Sequence, residues 1–372
     1  MKIALVCDFL TKFGGAQKVL LALTEIYPGA PIYCLAYDEA GTKGKFKNCN
    51  IIESSLGRLP SFLKKRTKLF VTSLPKRIEE FSFSDFDVVI SSSDSYAHGI
   101  ITNPATLHIC YCHTPMRYVW DWYNEYLKEN NLDKGLKSLV IRNILHKIRI
   151  WDRVAAYRVD KWLANSQNVQ KRIEKYYHSD SEIIYPPIDV ENIKPSNEKI
   201  GDYYLVVSRL EPYKKIGLAI ETCNKLKKKL IIIGEGSEMA ALKKIAGKSI
   251  SFLGWQPDDR VYEYLQNSKA LIFPGEEDFG ITPVESMAAG RPVIAYRKGG
   301  VLESVIEGKT GFFFKEPTVD SLSQTIISFE TQIATISQDD CVNRAQEFSK
   351  KAFQDKILST INKSYQKHIN QI

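Results

Sequence analysis

One pattern, used twice, constrains this chain more than any other feature. Ile3-Ala4-Leu5-Val6-Cys7 is an apolar run leading to the loop Phe13-Gly14-Gly15-Ala16, after which Val19, Leu20, Leu23 and Ile26 recur at helical spacing. The same order returns at Tyr203-Tyr204-Leu205-Val206-Val207, with the loop 208–215 and then Leu218-Ala219-Ile220 and Leu226. A strand, a loop and a helix in that order open a βαβ unit, whose parallel strands are buried on both faces. Short apolar runs follow at 88–90 and 107–111 in the first half, and at 230–233, 251–253, 270–273 and 292–295 in the second. At 372 residues the chain exceeds what one hydrophobic core serves. The expected architecture is α/β, with two Rossmann-like, doubly wound parallel-sheet domains.

The predicted boundaries are 1–186 for the first domain, 187–200 for a polar, proline-bearing linker, and 201–345 for the second domain. The segment 346–372 is polar and helical, and is expected to pack back on the first domain. No apolar run approaches the roughly 18 residues that a spanning helix needs, and Asp8 cuts the opening run short, unlike a secretory leader. Seven cysteines, an odd number without a Cys-x-x-Cys pair, point to a reduced, cytoplasmic protein. The net charge of +8 is uneven: residues 1–186 hold 26 Lys and Arg against 19 Asp and Glu. Basic clusters at Lys64-Lys65-Arg66 with Lys68, and at 142–158, suit anionic lipid or phosphorylated ligands, with ordinary solvated faces as the plainer alternative. No recognition motif for nucleic acid accompanies them, so no nucleic-acid partner is expected.

In doubly wound sheets ligands bind at loops that follow strands. After 270–273 comes Gly275-Glu276-Glu277-Asp278-Phe279-Gly280-Ile281-Thr282-Pro283-Val284-Glu285. Thr282 reads as an N-cap, Pro283 as the first helical residue, Glu285 as the third and Gly290 as the stop, which would make Glu285 a capping-box residue. Three carboxylates beside a helix start that suits an anion also fit a ligand with many hydroxyls next to a phosphate. A nucleotide sugar is such a ligand. Arg209 and Lys214 follow the strand at 203–207, where two cations can neutralise a diphosphate; the spacing leaves open whether Lys214 or Lys215 points inward. Gly14 and Gly15 permit a tight turn and close approach to a phosphate or sugar. His113 ends the strand at 107–111.

Other patterns are weaker. Asp85-Phe86-Asp87 reads as a polar approach to a strand rather than a metal motif, and no His/Cys/Asp cluster has metal spacing, so neither a metal nor another cofactor is expected. Gly234-Glu235-Gly236 lacks the rest of a dinucleotide fingerprint, which disfavours a nicotinamide enzyme. Tyr118, Trp122 and Tyr126 recur every four residues and are expected on one helix face, as core or as a platform for a saccharide or membrane.

In these residues the chain resembles glycosyltransferase family 4, retaining enzymes of the GT-B fold whose two Rossmann-like domains face a central cleft. The resemblance runs from Gly14-Gly15-Ala16 through Cys112-His113-Thr114-Pro115, Tyr185-Pro186-Pro187, Ser208-Arg209-Leu210 and Pro212-Tyr213-Lys214 to the E-x7-E pair Glu277 and Glu285 and to Gly299-Gly300. It is most similar to bacterial mannosyltransferases of O-antigen type surface-polysaccharide synthesis. The resemblance implies transfer of mannose from GDP-mannose to a lipid-linked saccharide acceptor, with the first domain on the acceptor side, at the inner face of the cell membrane. It implies catalytic roles for His113, Glu277, Arg209 and Lys214. Glu285 would hold the ribose, Glu277 a donor-sugar hydroxyl, and Gly14, Gly15 and the backbone at Phe279, Gly280, Ile281 and Thr282 the rest of the donor. Trp255 and Gln256 fall where such enzymes contact the base. A UDP-hexose or GDP-deoxysugar donor, or a non-catalytic nucleotide-sugar-binding partner, are the alternatives.

Overall fold

The computed structural model describes residues 1–59, 70–196 and 200–371. The basic cluster at Lys64, Lys65, Arg66 and Lys68 lies outside the described residues. The chain divides into two compact units, one of Met1–Pro187 with Phe353–Ile372, the other of Ile188–Ala352.

The first unit holds seven strands: β1 (Ile3–Leu10), β2 (Ile32–Tyr37), β3 (Ile51–Glu53), β4 (Val88–Ser93), β5 (Leu107–Cys112), β6 (Lys161–Ala164) and β7 (Ser181–Ile183). They lie in the order β3-β2-β1-β4-β5-β6-β7, every pair parallel. The chain winds outward from β1 to β3, then returns to place β4 on the other side of β1. The second unit repeats this plan with β8 (Tyr204–Val207), β9 (Leu230–Ile233), β10 (Ile250–Gly254), β11 (Ala270–Phe273), β12 (Val293–Tyr296) and β13 (Gly311–Phe314), ordered β10-β9-β8-β11-β12-β13 and all parallel. Each sheet therefore has one switch point, between β1 and β4 and between β8 and β11, where the connections diverge and open a crevice at the strands' carboxyl ends.

The runs at 3–7, 88–90, 107–111, 230–233 and 270–273 all sit in central strands. In the first unit, helix Gly15–Ile26 lays Val19, Leu20 and Leu23 on the sheet beside Leu5, Ile90 and Ile109. Phe353, Ile357 and Ile361, four residues apart on the helix Lys350–Ile369, complete the same core and are almost wholly buried. Burial of each such side chain is worth about 1.5–3 kcal/mol. All seven cysteines are free, and Cys110 and Cys112, two apart on β5, share one core face. Asp87 accepts the Lys2 amide at 2.6 Å, as a polar approach to β4.

The long helix Gly135–Ala155 turns Asp152 fully into the first unit, where Trp120 Nε1 (2.7 Å) and Tyr177 Oη (3.1 Å) donate to it. Burial pushes this carboxyl up to about 7. His98 stands 3.3 Å away among the rings of Trp151, Trp162 and Tyr177, and burial holds it down at about 4. Tyr118 and Tyr126 pack ring to ring, 5.6 Å apart, against the core. They are not on one helix: Tyr118 lies in a short 3-10 turn, Trp122 precedes the helix Tyr123–Glu129, and Tyr126 lies within it. The chain turns at Trp120 and Trp122, which breaks the expected stripe.

Candidate active site

In the second unit, the loops after β8 and β11 are the two that flank the switch point. The β8 loop runs through Arg209 to the short turn Pro212–Lys214. It is fixed from below by β9: the Leu210 amide donates to Glu235 O (2.9 Å) and the Glu238 amide to Leu210 O (2.9 Å). A Cβ on Gly234 would stand 1.9 Å from Ser208 O, and one on Gly236 2.3 Å from Leu210 O. The Gly-x-Gly pair thus exists to let two loops of backbone touch.

The question of which lysine points inward is settled by burial. Lys214 is only 8% exposed, whereas Lys215 is exposed and lies over the Tyr296 ring at 5.3 Å. Lys214 Nζ pairs with Glu277 of the β11 loop and lies 5.0 Å from the Tyr213 ring centroid. Exposed Arg209 donates to the Tyr213 hydroxyl at 2.9 Å. The β11 loop is held by main chain. Gly300 N donates to Glu277 O at 2.9 Å, and a Cβ on Gly299 or Gly300 would meet Glu277 O at 2.4 Å or Asp278 O at 2.2 Å. A Cβ on Gly275 would meet the Lys214 Cα at 3.0 Å.

The helix that follows is Ile281–Ala288, starting two residues earlier than the sequence pattern places it. Its N-cap is Gly280 at φ 91°, where a side chain would press on the Phe273 ring, and no side chain caps it. The proposed N-cap role of Thr282 is therefore incorrect, because Gly280 supplies a left-handed turn that Thr282 would have had to replace. Glu285 consequently sits one full turn into the helix, too far along for a capping box, and is buried at 7% exposure. Gly290, at φ 75°, ends the helix as its sequence position predicts. Phe279 turns its ring onto Phe348, 5.5 Å away, which leaves its backbone rather than its side chain for a ligand. The result is a buried carboxylate, a second carboxylate paired with a buried ammonium, an exposed guanidinium and an uncapped helix start, all on two loops and the helix that follows one of them. Hydroxyl acceptors and diphosphate-neutralising cations are the chemistry of that set.

In the first unit His113 directly follows β5 and is half-buried. Its amide donates to Ser93 O (2.8 Å), its Nε2 meets Ser92 Oγ (2.8 Å), and Asn165 Nδ2 donates to its carbonyl (2.9 Å). The ring stands edge-on to Tyr111 at 5.2 Å. Behind it, Arg172 reaches Thr114 Oγ1 (3.3 Å) and Asp121 (3.0 Å), pinning the His-Thr-Pro turn. Gly14 is the N-cap of helix Gly15–Ile26, and a Cβ there would meet Gln17 Oε1 at 3.4 Å. Beside it, Asp8 of β1 is buried and accepts from four backbone amides after β4: Asp94 (2.8 Å) and Ser95 (3.1 Å) on one oxygen, Tyr96 and Ala97 (2.7 Å) on the other.

Two family descriptions match this chain, "Glycosyltransferase Family 4" over residues 13–192 and "Glycosyl transferases group 1" over 189–348. The chain is a glycosyltransferase of the family 4 type. It is 25% identical over 240 residues to an uncharacterized glycosyltransferase of Methanocaldococcus jannaschii, covering 62% of this chain and 66% of that one. It is 25% identical over 292 residues to the alpha-1,3/1,6-mannosyltransferase ALG2 of Dictyostelium discoideum, covering 64% of this chain and 66% of the relative. These matches thus span about two thirds of each relative's length. In fold it is similar to HepE of Anabaena, solved with UDP and glucose, at a TM-score of 0.71 and 20% identity, over 97% of this chain and 99% of that one. Both sheets are those of the GT-B fold.

Every residue given a donor-binding or catalytic role in the sequence lies on a loop at a strand's carboxyl end or within the first turns of the helix behind it. The Lys214–Glu277 contact, Asp8, Ser92, Asn165 and Arg172 were not foreseen. Ser91-Ser92-Ser93 closing the apolar run of β4 was the available signal, since three hydroxyls at the end of a buried strand need partners. Gln256 spends its amide on Leu253 O at 2.8 Å, while Trp255 is half-exposed. Among the described residues no group of His, Cys, Asp and Glu is arranged to hold a metal ion, and no helix is long and apolar enough to cross a membrane.

Proposed function

We propose that the protein is a retaining hexosyltransferase that moves mannose from GDP-mannose onto a lipid-linked saccharide acceptor in surface-polysaccharide synthesis. The observation that carries this reading is the pairing of Lys214 with Glu277 across the two loops of the second unit's switch point, beside buried Glu285 and the uncapped start of Ile281–Ala288. Glu285 accepts the ribose hydroxyls and Glu277 a hydroxyl of the donor sugar. Arg209 and Lys214 neutralise the diphosphate and stabilise the charge that grows on it as the sugar departs. His113, its Nε2 steadied by Ser92, hydrogen-bonds the donor sugar in the transition state. Gly14, Gly15 and the amides at Phe279, Gly280, Ile281 and Thr282 complete the donor contacts. The leaving diphosphate helps to deprotonate the acceptor on the same face of the sugar, so no enzymic nucleophile is assigned. No metal takes part. Mannose is favoured by the likeness to ALG2; a UDP-hexose donor is the second reading, favoured by the likeness to HepE with its UDP and glucose.

Calorimetric titration of GDP, UDP and NAD into the protein and into its Glu285→Ala and Arg209→Ala variants tests this. GDP binding that is lost in both variants is the expected result. Binding of UDP instead moves the donor to the second reading, and binding of NAD alone removes the transferase.

A further inference from the structure

Six large apolar side chains stand in water along one stretch of the first unit: Leu136 (84% exposed), Leu139 (67%), Val140 (61%), Ile150 (53%), Val154 (53%) and Tyr157 (71%). Five belong to the helix Gly135–Ala155, and Leu136, Val140, Ile150 and Val154, spaced by four, ten and four residues, fall on one face. The opposite face, with Ser138, Leu145, Ile148, Asp152 and Ala155, is the one that packs into the unit. At about 1.5 Å per residue the outer stripe is roughly 30 Å long, more than scattered surface apolars explain.

Charge decides what covers it. The helix exposes Lys137 and Lys147, while Arg142, Arg149 and Arg153 donate back to Ser138 Oγ, Val119 O and Tyr177 O, and its one acid, Asp152, is wholly buried on the inner face. A second copy laid on this face would set like charges against each other, whereas a surface of lipid phosphates would be matched to both the apolar stripe and its basic residues. Lys147 stands within the stripe, and its stem can follow apolar surface while the ammonium reaches outward. A helix with this division, and too polar to span a bilayer, lies in the plane of the interface.

We propose that the outer face of Gly135–Ala155 docks the protein on the anionic surface of a lipid bilayer. It rests on the reading above only in its choice of partner, and its test needs no sugar donor. The whole protein is floated with vesicles of phosphatidylcholine alone and with phosphatidylglycerol added, alongside a Leu139→Glu/Ile150→Glu variant and a Lys137→Gln/Lys147→Gln variant. The expected result is binding to the phosphatidylglycerol vesicles, about tenfold or more weaker in each variant, with unchanged circular dichroism and unchanged nucleotide binding in both. Three outcomes overturn it: no flotation of the parent protein, flotation of both variants like the parent, or a parent dimer that Leu139→Glu/Ile150→Glu converts to a monomer. Loss of nucleotide binding in the parent strikes the transferase reading and leaves this one standing.

Discussion

At the switch point of the first unit the carboxyl end of β1 closes on the chain itself: Asp8 fills the turn after β4 and takes four backbone amides. At the switch point of the second, β8 leads instead to Arg209 and Lys214, and the carboxylate that meets the lysine, Glu277, comes from the loop after β11. The topology is the same, yet one crevice already holds a carboxyl group of its own and the other presents cations. The fold supplies the crevice, and the residue type at the strand end decides whether a phosphate is welcome there.

This contrast can be broken at both ends. The largest effect is expected for Lys214→Ala, which should lower turnover about 10²–10³-fold with little change in melting temperature, measured by initial rates and thermal unfolding. Equal turnover would remove the second crevice from catalysis. Next comes Asp8→Ala, which leaves four amides without their acceptor; a loss of about 3 kcal/mol or more is expected in denaturant unfolding, because each buried donor left unsatisfied costs about 1–3 kcal/mol. An unaltered midpoint would mean that the first crevice does not depend on its carboxylate.

A smaller effect concerns the other buried acid. Asp152 is raised from the usual carboxylate range to about 7, so its contribution to stability is full below the unfolded value near 4 and is lost as pH rises through about 7. Asp152→Asn keeps an acceptor for Trp120 and Tyr177 without that titration. Relative to the parent it should gain roughly 2–4 °C per kcal/mol recovered on moving from pH 5 to pH 9, read as paired melting curves; a constant offset would refute the shift. The smallest expected change is in Thr282→Ala. With Gly280 as the cap, it should alter stability by less than about 0.5 kcal/mol, whereas a capping threonine would cost about 1 kcal/mol.

Central strands were legible because β1, β4, β5, β9 and β11 each carry an apolar run of three residues or more, as suits strands buried on both faces. β3 and β7 were not, since three half-buried residues at or near a sheet edge carry no pattern. β2, Ile32-Tyr33-Cys34-Leu35-Ala36-Tyr37, is apolar throughout and carries the same signal as the central strands. Site loops were legible by position and by family resemblance, but the ion pair within them was not. Lys214 and Glu277 meet because β8 and β11 are neighbours, a fact of strand order that no local pattern contains. The helix start was misplaced for a related reason: Thr-Pro-x-Glu satisfies every local rule for a cap, and only the close approach of Phe273 to Gly280 makes the glycine take that place.

The return of Phe353, Ile357 and Ile361 to the first core has a consequence for how the molecule is made. A ribosome finishes residues 1–187 early, but that unit lacks three of its buried side chains until all of 188–352 has been synthesised. At ~5–20 residues per second this is a wait of roughly 10–30 s. During that time the first unit presents an apolar slot on its sheet, and the nascent chain has a window in which chaperones have something to hold.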